Sequence, residues 1–253
     1  MKSGHQKVSK YPPGKVPLER ALSKLGLASR KEAREWIMSG RIRIDGITRN
    51  NPEYLVIPEK IKIELDQQPI GRVAPMTLLL HKPKGIITSR SDEKGRPTVF
   101  SLLKDVTTYL NAVGRLDFAT SGLLLLTNNT RLAAWLTDPD NKIIRTYVVT
   151  VRGRVSEVQL TQLHAGLQDD GQLLQVNKAV LRKSSEKESH LTVELTEGKN
   201  REIRRLFQAL GHEVSKLKRV AYGGLTLGDL QPGEYRIIER EELQKVFPGA
   251  PLK

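Results

Sequence analysis

The first part of the chain carries two helix signals in its apolar and polar pattern. The apolar positions of the first are Leu18, Leu22 and Leu25. Gly26 follows them directly and is typical of a helix end. Ser29 and Glu32 then have the S-x-x-E spacing of a capping box, which predicts a second helix that Gly40 ends. We therefore expect a pair of short helices.

The pattern changes after this helix pair to the alternation of strands. Residues 41–44 alternate polar and apolar positions, the pair Asp45 and Gly46 is typical of a two-residue hairpin, and residues 60–65 alternate again. These signals predict a small domain over residues 17–66, made of a helix pair followed by a small sheet. The polar residues 1–16 before it are predicted to form a tail.

A second, larger domain is predicted over residues 76–248, after a linker at 67–75. Its strand signals cover 77–81, 122–127, 144–152, 190–196 and 234–238. Its helix signals cover 131–136, 156–166 and 201–210. Several strands follow one another too closely for a helical crossover, which favours antiparallel pairing. The fold class expected for the chain is therefore α+β, and the larger sheet is expected to be mixed and mostly antiparallel.

The charge of the chain indicates a polyanionic partner. The 253 residues include 42 Lys+Arg and 28 Asp+Glu, which gives a net charge of +14. Residues 1–49 contribute +8 of this excess and residues 199–219 contribute +5. Such a field attracts polyanions. With only two Trp, six Tyr and four Phe, contact with phosphates is favoured over binding that depends mainly on base stacking.

Several classes of chemistry have no signal in this sequence. Cysteine is absent, so disulfides and thiolate metal sites are excluded, and a cytoplasmic location is expected. The longest aliphatic run is Leu123–Leu126, so no membrane association is expected. There is no phosphate-loop or dinucleotide-binding motif, and no two histidines have metal-ligand spacing. No metal and no organic cofactor is implied.

Two segments contain side chains that could take part in catalysis or substrate binding, one in a turn before a predicted strand and one within a strand. Asp117 lies in the turn before the strand that begins near residue 122, and an aspartate in a turn often binds only nearby backbone N–H groups. Tyr147 shares one strand face with Val149 and Val151, which is typical of a core tyrosine. The functional alternatives are a reactive carboxylate and a ring that packs on a substrate base.

The third segment is the predicted helix at 201–210. Its apolar stripe consists of Ile203, Leu206, Phe207 and Leu210. Arg201 and Arg205 are expected to face solvent or phosphate. Arg204 falls on the border of the stripe, from which its side chain could reach a carboxylate at the edge of the core. A solvated basic face is the alternative.

The order of these segments resembles that of the bacterial ribosomal pseudouridine synthases that carry an N-terminal RNA-binding domain. The matching stretches are GRLDFATSGLLLLTNN, RTYVV, EGKNREIRRLF and GLTLGDLQPGEYR, with GLASRKEAREWIMSGRIRIDG for the small domain. The resemblance covers residues 17 to about 240. It implies an RNA-binding domain at 17–66 and a catalytic domain at 76–248 that isomerises uridine to pseudouridine.

The resemblance also assigns roles to particular residues. It implies that Asp117 is the essential carboxylate, as nucleophile or as base, that Arg204 is its ion-pair partner, and that Tyr147 packs on the target base. Arg115 is the residue expected to enter the gap left by the flipped uridine. The residues expected to hold flanking phosphates in the catalytic domain are Lys82, Lys84, Arg201 and Arg205. Those expected to do so in the small domain are Arg30, Lys31, Arg34, Arg41 and Arg43.

The resemblance is greatest to the large-subunit members of this branch, through REIRRLF and SRSDEKGRPTVF. Glu202 stands in the first of these where many pseudouridine synthases have Gln. The expected substrate is therefore 23S ribosomal RNA, free or in an assembling subunit, and the chain is expected to be a monomer. The alternatives are a synthase for 16S ribosomal RNA and a non-catalytic rRNA-binding assembly factor.

Overall fold

A computed structural model describes residues 11–71 and 73–252, which form two compact units. The first unit comprises the described residues up to Pro75 with two short segments, 108–110 and 128–130, and the second comprises the remainder. Both contain helices and strands, so the predicted α+β class is confirmed. No helix in the described part of the chain is both long and apolar enough to cross a membrane.

The smaller unit has the predicted helix pair and sheet. Its helices are α1 Leu18–Lys24 and α2 Arg30–Met38. Its strands are β1 Val16–Pro17, β2 Ile42–Ile44, β3 Ile47–Thr48, β4 Leu55–Val56, β5 Ile63–Leu65 and β6 Gln68–Ile70. The capping box forms as predicted: Glu32 N–H donates to Ser29 Oγ at 3.0 Å, and Ser29 N–H donates to Glu32 Oε2 at 2.9 Å. The apolar faces of both helices pack on buried Ile42 and Ile63.

The boundaries of this unit differ from the sequence predictions at both ends. Val16, placed in the tail, is in β1 and pairs with Val56, whereas residues 1–10 of the predicted tail lie outside the described residues. Gln68–Ile70, placed in the linker, pairs with β5 as the edge strand of the order β3-β2-β5-β6. The turn at Asp66 and Gln67 folds this segment back, because both residues adopt positive φ.

The larger unit is built around one mixed sheet. Its long strands are β7 Thr77–Lys82, β9 Ser121–Thr127, β10 Arg145–Arg152, β13 Lys178–Ser184, β14 Glu188–Leu195 and β15 Val214–Tyr222. Its short strands are β8 Asn111–Ala112, β11 Leu167–Asp169, β12 Gln172–Leu174, β16 Leu225–Thr226 and β17 Tyr235–Ile237. Its helices are α3 Thr130–Thr137, α4 Glu157–Ala165, α5 Glu202–Ala209 and α6 Arg240–Val246.

The strand order in this sheet is β13-β14-β10-β15-β9-β7-β17, with β16 on β15 and β8 on β9. The pairings within the described sheet are antiparallel except that of β9 with β15, as expected for a mostly antiparallel fold. Leu123–Leu126 are all buried, so β9 has both faces covered. The sequence signals missed β13, β15 and α6, and the parallel pairing of β15 with β9 is what brings the functional segments together.

Candidate active site

An open cavity of about 410 Å³ lies in the larger unit where β9 begins. Three segments meet at it: the turn 113–117, strand β10 and residues 197–204 before and within α5. Asp117, Tyr147 and Arg204 all line it, as do Arg115 and Arg201. The three segments singled out in the sequence therefore converge on one cavity.

The backbone of the Asp117 turn is held by a buried lysine. Lys82 is fully buried, and its Nζ donates to the carbonyl oxygens of Pro83 at 3.1 Å, Asp117 at 3.1 Å and Thr120 at 2.8 Å. Burial lowers the pKa of Lys82 to about 8, against the opposing effect of the Asp117 charge. The predicted phosphate contact of Lys82 is wrong, because all three N–H groups of its ammonium are used within the protein.

A glycine allows the closest approach of two strands at this site. Gly122 has φ +109°, and an added Cβ would lie 2.1 Å from the carbonyl oxygen of Arg219. The two residues are register partners in the parallel pair of β9 and β15. Only glycine fits this position, which sets the start of β9, and with it the Asp117 turn, beside Arg219.

The cation that reaches Asp117 is Arg201. Its Nη1 lies 3.6 Å from Asp117 Oδ2, and both side chains are partly exposed, at 53% and 36%. Within the described residues, Asp117 and Arg204 form no ion pair, so the predicted pairing is wrong. Arg204 donates instead to the carbonyl oxygens of Val214 at 2.9 Å and Ala119 at 3.2 Å.

Arg201 is exposed, as expected, but the helical phase did not predict its contact with Asp117, because this residue lies just before α5. Its φ of +50° is left-handed, so the rotation of 100° per residue does not apply to it. Arg204 is half-buried at the border of the helix, as its phase predicted. Burial, followed by the nearby charge of Arg201, lowers the pKa of Arg204, and the Asp117 charge acts in the opposite direction. Arg204 thus ties the Asp117 turn to the start of β15.

The other predicted phosphate ligands of this unit differ in their availability. Arg205 pairs with the carboxylate of Asp169 and donates to the Asp169 carbonyl oxygen at 2.9 Å, so its charge is partly neutralised and its phosphate contact stays a prediction. Lys84 and Arg115 are exposed. Tyr147 is 8% exposed and is the register partner of Arg219 across β10 and β15. These two side chains therefore form neighbouring parts of the cavity wall.

Three of the five basic residues predicted to bind phosphate in the smaller unit have acidic partners. Arg34 pairs with Glu19 at 3.1 Å, Arg41 with Asp66 at 2.5 Å, and Arg43 with Glu64 at 3.0 Å. Their charges are therefore partly neutralised, although the side chains are accessible. Arg30 and Lys31 lie together on the exposed first turn of α2. These two are the better placed of the five to meet phosphates.

Comparison with known proteins identifies both units. Residues 76–209 match the model of the RNA pseudouridylate synthase family, and residues 16–60 match the S4 domain. The first match includes all three segments that meet at the cavity. The chain belongs to the RNA pseudouridylate synthase family. It is a pseudouridine synthase, an isomerase that acts on RNA, with an S4 RNA-binding domain before the catalytic domain.

Relatives match this synthase over nearly its whole length. The ribosomal large subunit pseudouridine synthase B of Bacillus subtilis (strain 168) is 35% identical over 231 residues, which are 90% of this chain and 94% of the relative. An uncharacterized RNA pseudouridine synthase of Aquifex aeolicus (strain VF5) is 34% identical over 94% of this chain and 96% of the relative. A crystal structure of a pseudouridylate synthase superposes with a TM-score of 0.62 at 26% identity, covering 91% of this chain and 99% of the other.

Sequence reasoning missed several residues in the wall of the cavity of this synthase. Arg219 is 2% exposed on β15, where its Nε donates to the Leu123 carbonyl oxygen at 2.7 Å. Arg145 is buried and donates to the carbonyl oxygens of Thr196 and Leu136. Both arginines lie in strands that carry other basic residues, so their inward direction is known only once the neighbouring strands are in place. The available signal in the sequence was an arginine spaced among the apolar residues of a strand.

Glu202 is a third missed residue, noted in the sequence only for its possible bearing on the substrate. It is 3% exposed, lines the cavity and begins α5. Burial, followed by the nearby negative charge of Glu197, raises the pKa of Glu202 to about 7. Three carboxyl groups line the cavity, Asp117, Glu197 and Glu202. Asp117 is accessible beside Arg201, whereas Glu202 is enclosed.

Proposed function

We propose that this synthase isomerises a uridine of 23S ribosomal RNA and that Asp117 is its catalytic carboxylate. The main support for this proposal is that the Asp117 turn, Tyr147 and the segment 197–204 line one cavity in the larger unit. The large-subunit substrate is supported by the 35% identity to the Bacillus subtilis enzyme, which is named for that ribosomal subunit.

Each part of the isomerisation requires a group that the cavity can supply. The bond between the uracil nitrogen and ribose breaks, the base turns, and a ring carbon bonds to the sugar. That carbon then loses its proton, and the freed nitrogen gains one. Asp117 attacks as a nucleophile or accepts a proton as a base, and either role needs an accessible carboxylate. Its partial exposure at the cavity and the nearby Arg201 Nη1 meet that need, since the guanidinium orients the carboxylate.

The target base must leave the RNA stack to reach a cavity of this kind. We propose that the buried ring of Tyr147 packs on the flipped uracil, while the exposed side chain of Arg115, two residues before Asp117, occupies the space that the base leaves. Lys84 on the surface, and Arg30 and Lys31 on α2, are proposed to bind phosphates. Arg201 contributes to orienting Asp117 and remains exposed enough for a phosphate contact.

The domain division proposed for this activity is an RNA-binding domain at 17–66 and a catalytic domain at 76–248. We propose that the enzyme acts in the cytoplasm as a monomer, on free 23S ribosomal RNA or on an assembling subunit. Light scattering of the purified protein tests whether it is a monomer. Activity assays on free 23S RNA and on assembling subunits show which of the two is the substrate.

The test is a chemical map of pseudouridine in 23S and 16S transcripts incubated with the purified protein. We expect a new pseudouridine in the 23S transcript or in large-subunit particles, and its loss with Asp117→Asn, which removes the charge and nucleophilicity at nearly constant shape. Asp138→Asn, at an exposed carboxylate outside the cavity, is the matched control. Modification of 16S RNA alone would overturn the proposed substrate, and full activity of Asp117→Asn would overturn the proposed role.

A further inference from the structure

The loop before α5 holds Arg201 in an unfavourable backbone conformation. Arg201 has φ +50°, and its Nη1 lies 3.6 Å from Asp117 Oδ2. The left-handed region is unfavourable for a residue other than glycine. Since no side chain caps α5 from this position, other contacts must keep Arg201 in place.

Glu202 makes two of those contacts, both with Lys199. The Lys199 N–H donates to Glu202 Oε2 at 3.2 Å, and the Glu202 N–H donates to the Lys199 carbonyl oxygen at 3.3 Å. The reciprocal pair closes a ring around Asn200 and Arg201. The backbone of Arg201 is therefore fixed on both sides by one residue.

The carboxyl group of Glu202 is costly where it lies. It is almost fully buried, and its Oε1 has no hydrogen-bond partner within residues 11–71 and 73–252. Burying a polar atom without a hydrogen-bond partner costs folding free energy. An apolar side chain of similar length would avoid this cost, so stability alone does not account for a carboxyl group in the cavity wall.

We propose that Glu202 is a positioning residue of the active site, which acts by holding Arg201 in the conformation that reaches Asp117. The inference rests on the proposed role of Asp117. Glu202 itself does not touch the reacting atoms in this assignment. Glu202 Oε2 accepts a hydrogen bond from the Lys199 N–H, which closes the loop. The closed loop holds the Arg201 guanidinium beside the Asp117 carboxylate.

The assignment makes the effects of Glu202 and Arg201 depend on each other. In single-turnover and steady-state assays at saturating RNA, Glu202→Met removes the acceptor at similar volume and should lower kcat at least about tenfold with little change in KM. Glu202→Gln keeps an acceptor oxygen and should stay within about threefold of wild type. The double variant Glu202→Met/Arg201→Ala should be no slower than Arg201→Ala alone.

A second pair supplies the matched control. Arg236 pairs with Glu242 at 2.6 Å and neither residue lines the cavity, so Arg236→Ala should leave kcat unchanged in both the wild-type and the Glu202→Met backgrounds. Thermal unfolding of each variant checks that it folds, and Glu202→Leu replaces Glu202→Met if that variant does not.

Two results would overturn the assignment: multiplied losses in the Glu202→Met/Arg201→Ala variant, or a Glu202→Gln enzyme as slow as Glu202→Met. Asp117→Asn separates this failure from that of the proposed function. An active Asp117→Asn enzyme contradicts the function itself. An inactive one, together with multiplied losses, contradicts only the positioning role of Glu202.

Discussion

Individual charged residues in this synthase have roles that their immediate surroundings determine. Lys82 and Lys84 are two positions apart, yet one is buried with three carbonyl partners and the other is exposed. Arg204 and Arg205 are adjacent, yet one binds the turn that carries Asp117 and the other binds Asp169. Positive charge alone therefore does not identify an RNA contact in this protein.

The adjacent arginines of α5 should differ in their effect on catalysis. Arg204→Ala removes donors from the Ala119 and Val214 carbonyl oxygens, so the Asp117 turn loosens and turnover should fall by about tenfold or more. Arg205→Ala breaks a contact with the β11–β12 hairpin and should mainly lower the melting temperature. Steady-state kinetics at saturating RNA compares the two. Equal losses of turnover would contradict this assignment.

Glu202 should make the stability of the fold depend on pH. Its pKa is about 7 in the folded protein against 4.5 for an ordinary glutamate, so between these values the folded state binds more protons than the unfolded state. Stability due to the neutral acid is then present below about pH 4.5 and is lost as the pH rises through about 7.

Glu202→Gln removes this dependence because an amide does not titrate. The variant should match wild type near pH 4.5 and exceed it above pH 7, by roughly 3 kcal/mol if the full difference in pKa is realised. Urea unfolding at about pH 5 and pH 8 measures the change. Glu241→Gln, at an exposed carboxylate, is the control. A constant difference between Glu202→Gln and wild type at both pH values would show that Glu202 does not titrate in this range.

At the level of elements, the parallel contact of β9 with β15 organises the site. The other pairings of the described sheet are antiparallel, and this contact extends over only two register pairs, Lys218 with Ser121 and Arg219 with Gly122. It joins the buried leucine strand to the strand that carries Arg219. The Asp117 turn enters the cavity because β9 begins at this junction.

Gly122→Ala tests the junction. The new Cβ would lie 2.1 Å from a backbone oxygen and the residue would adopt φ +109°, so the strands must separate and the variant should be destabilised by about 3 kcal/mol or more. Gly233→Ala is the matched control, because Gly233 also has a positive φ of +93° but no atom within 4 Å of the added Cβ. Thermal unfolding compares both variants with wild type. Similar losses in the two variants would assign the effect to backbone strain alone.

At the level of the whole molecule, the chemistry and much of the positive charge belong to different units. The residues that line the candidate catalytic cavity are all in the larger unit. The excess charge of +8 at residues 1–49 lies in the S4 domain and in the residues that precede it, and Arg30 and Lys31 of that domain are exposed. RNA affinity and turnover should therefore be separable by mutation.

Arg30→Ala/Lys31→Ala should weaken RNA binding while turnover at saturating RNA stays within about twofold of wild type. The log-log slope of affinity against salt should fall by about 0.7–0.9 for each phosphate that the variant no longer binds. Filter binding over a salt series measures both effects. Arg41→Ala/Arg43→Ala is the control, with a smaller slope change expected because both guanidinium groups already have carboxylate partners.

Removal of residues 1–73 extends the same comparison. The truncated chain should show weaker affinity and a weaker salt dependence together, while Asp117, Tyr147 and Arg204 remain in place for chemistry at saturating substrate. If affinity and salt slope both survive in the truncated chain, the S4 domain serves a purpose other than docking on RNA.

The sequence by itself determined the class of the fold and those elements whose signals are local. The capping box of Ser29 and Glu32, the hairpin at Asp45 and Gly46 and the stripe of α5 depend on neighbours within four residues, so their patterns are visible without the fold. The motif order also brought Asp117, Tyr147 and Arg204 forward as candidates, and all three line one cavity.

The tertiary structure decided which charges meet. Arg201 reaches Asp117 from a left-handed position before α5, and Lys82 is enclosed by carbonyl groups up to 38 positions away. Arg219 joins the cavity wall where β15 pairs with β9, and Glu202 lines the same cavity from the start of α5. Residues outside regular elements follow no periodic rule, and burial of a charge depends on chain segments far away in sequence, so local pattern does not contain this information.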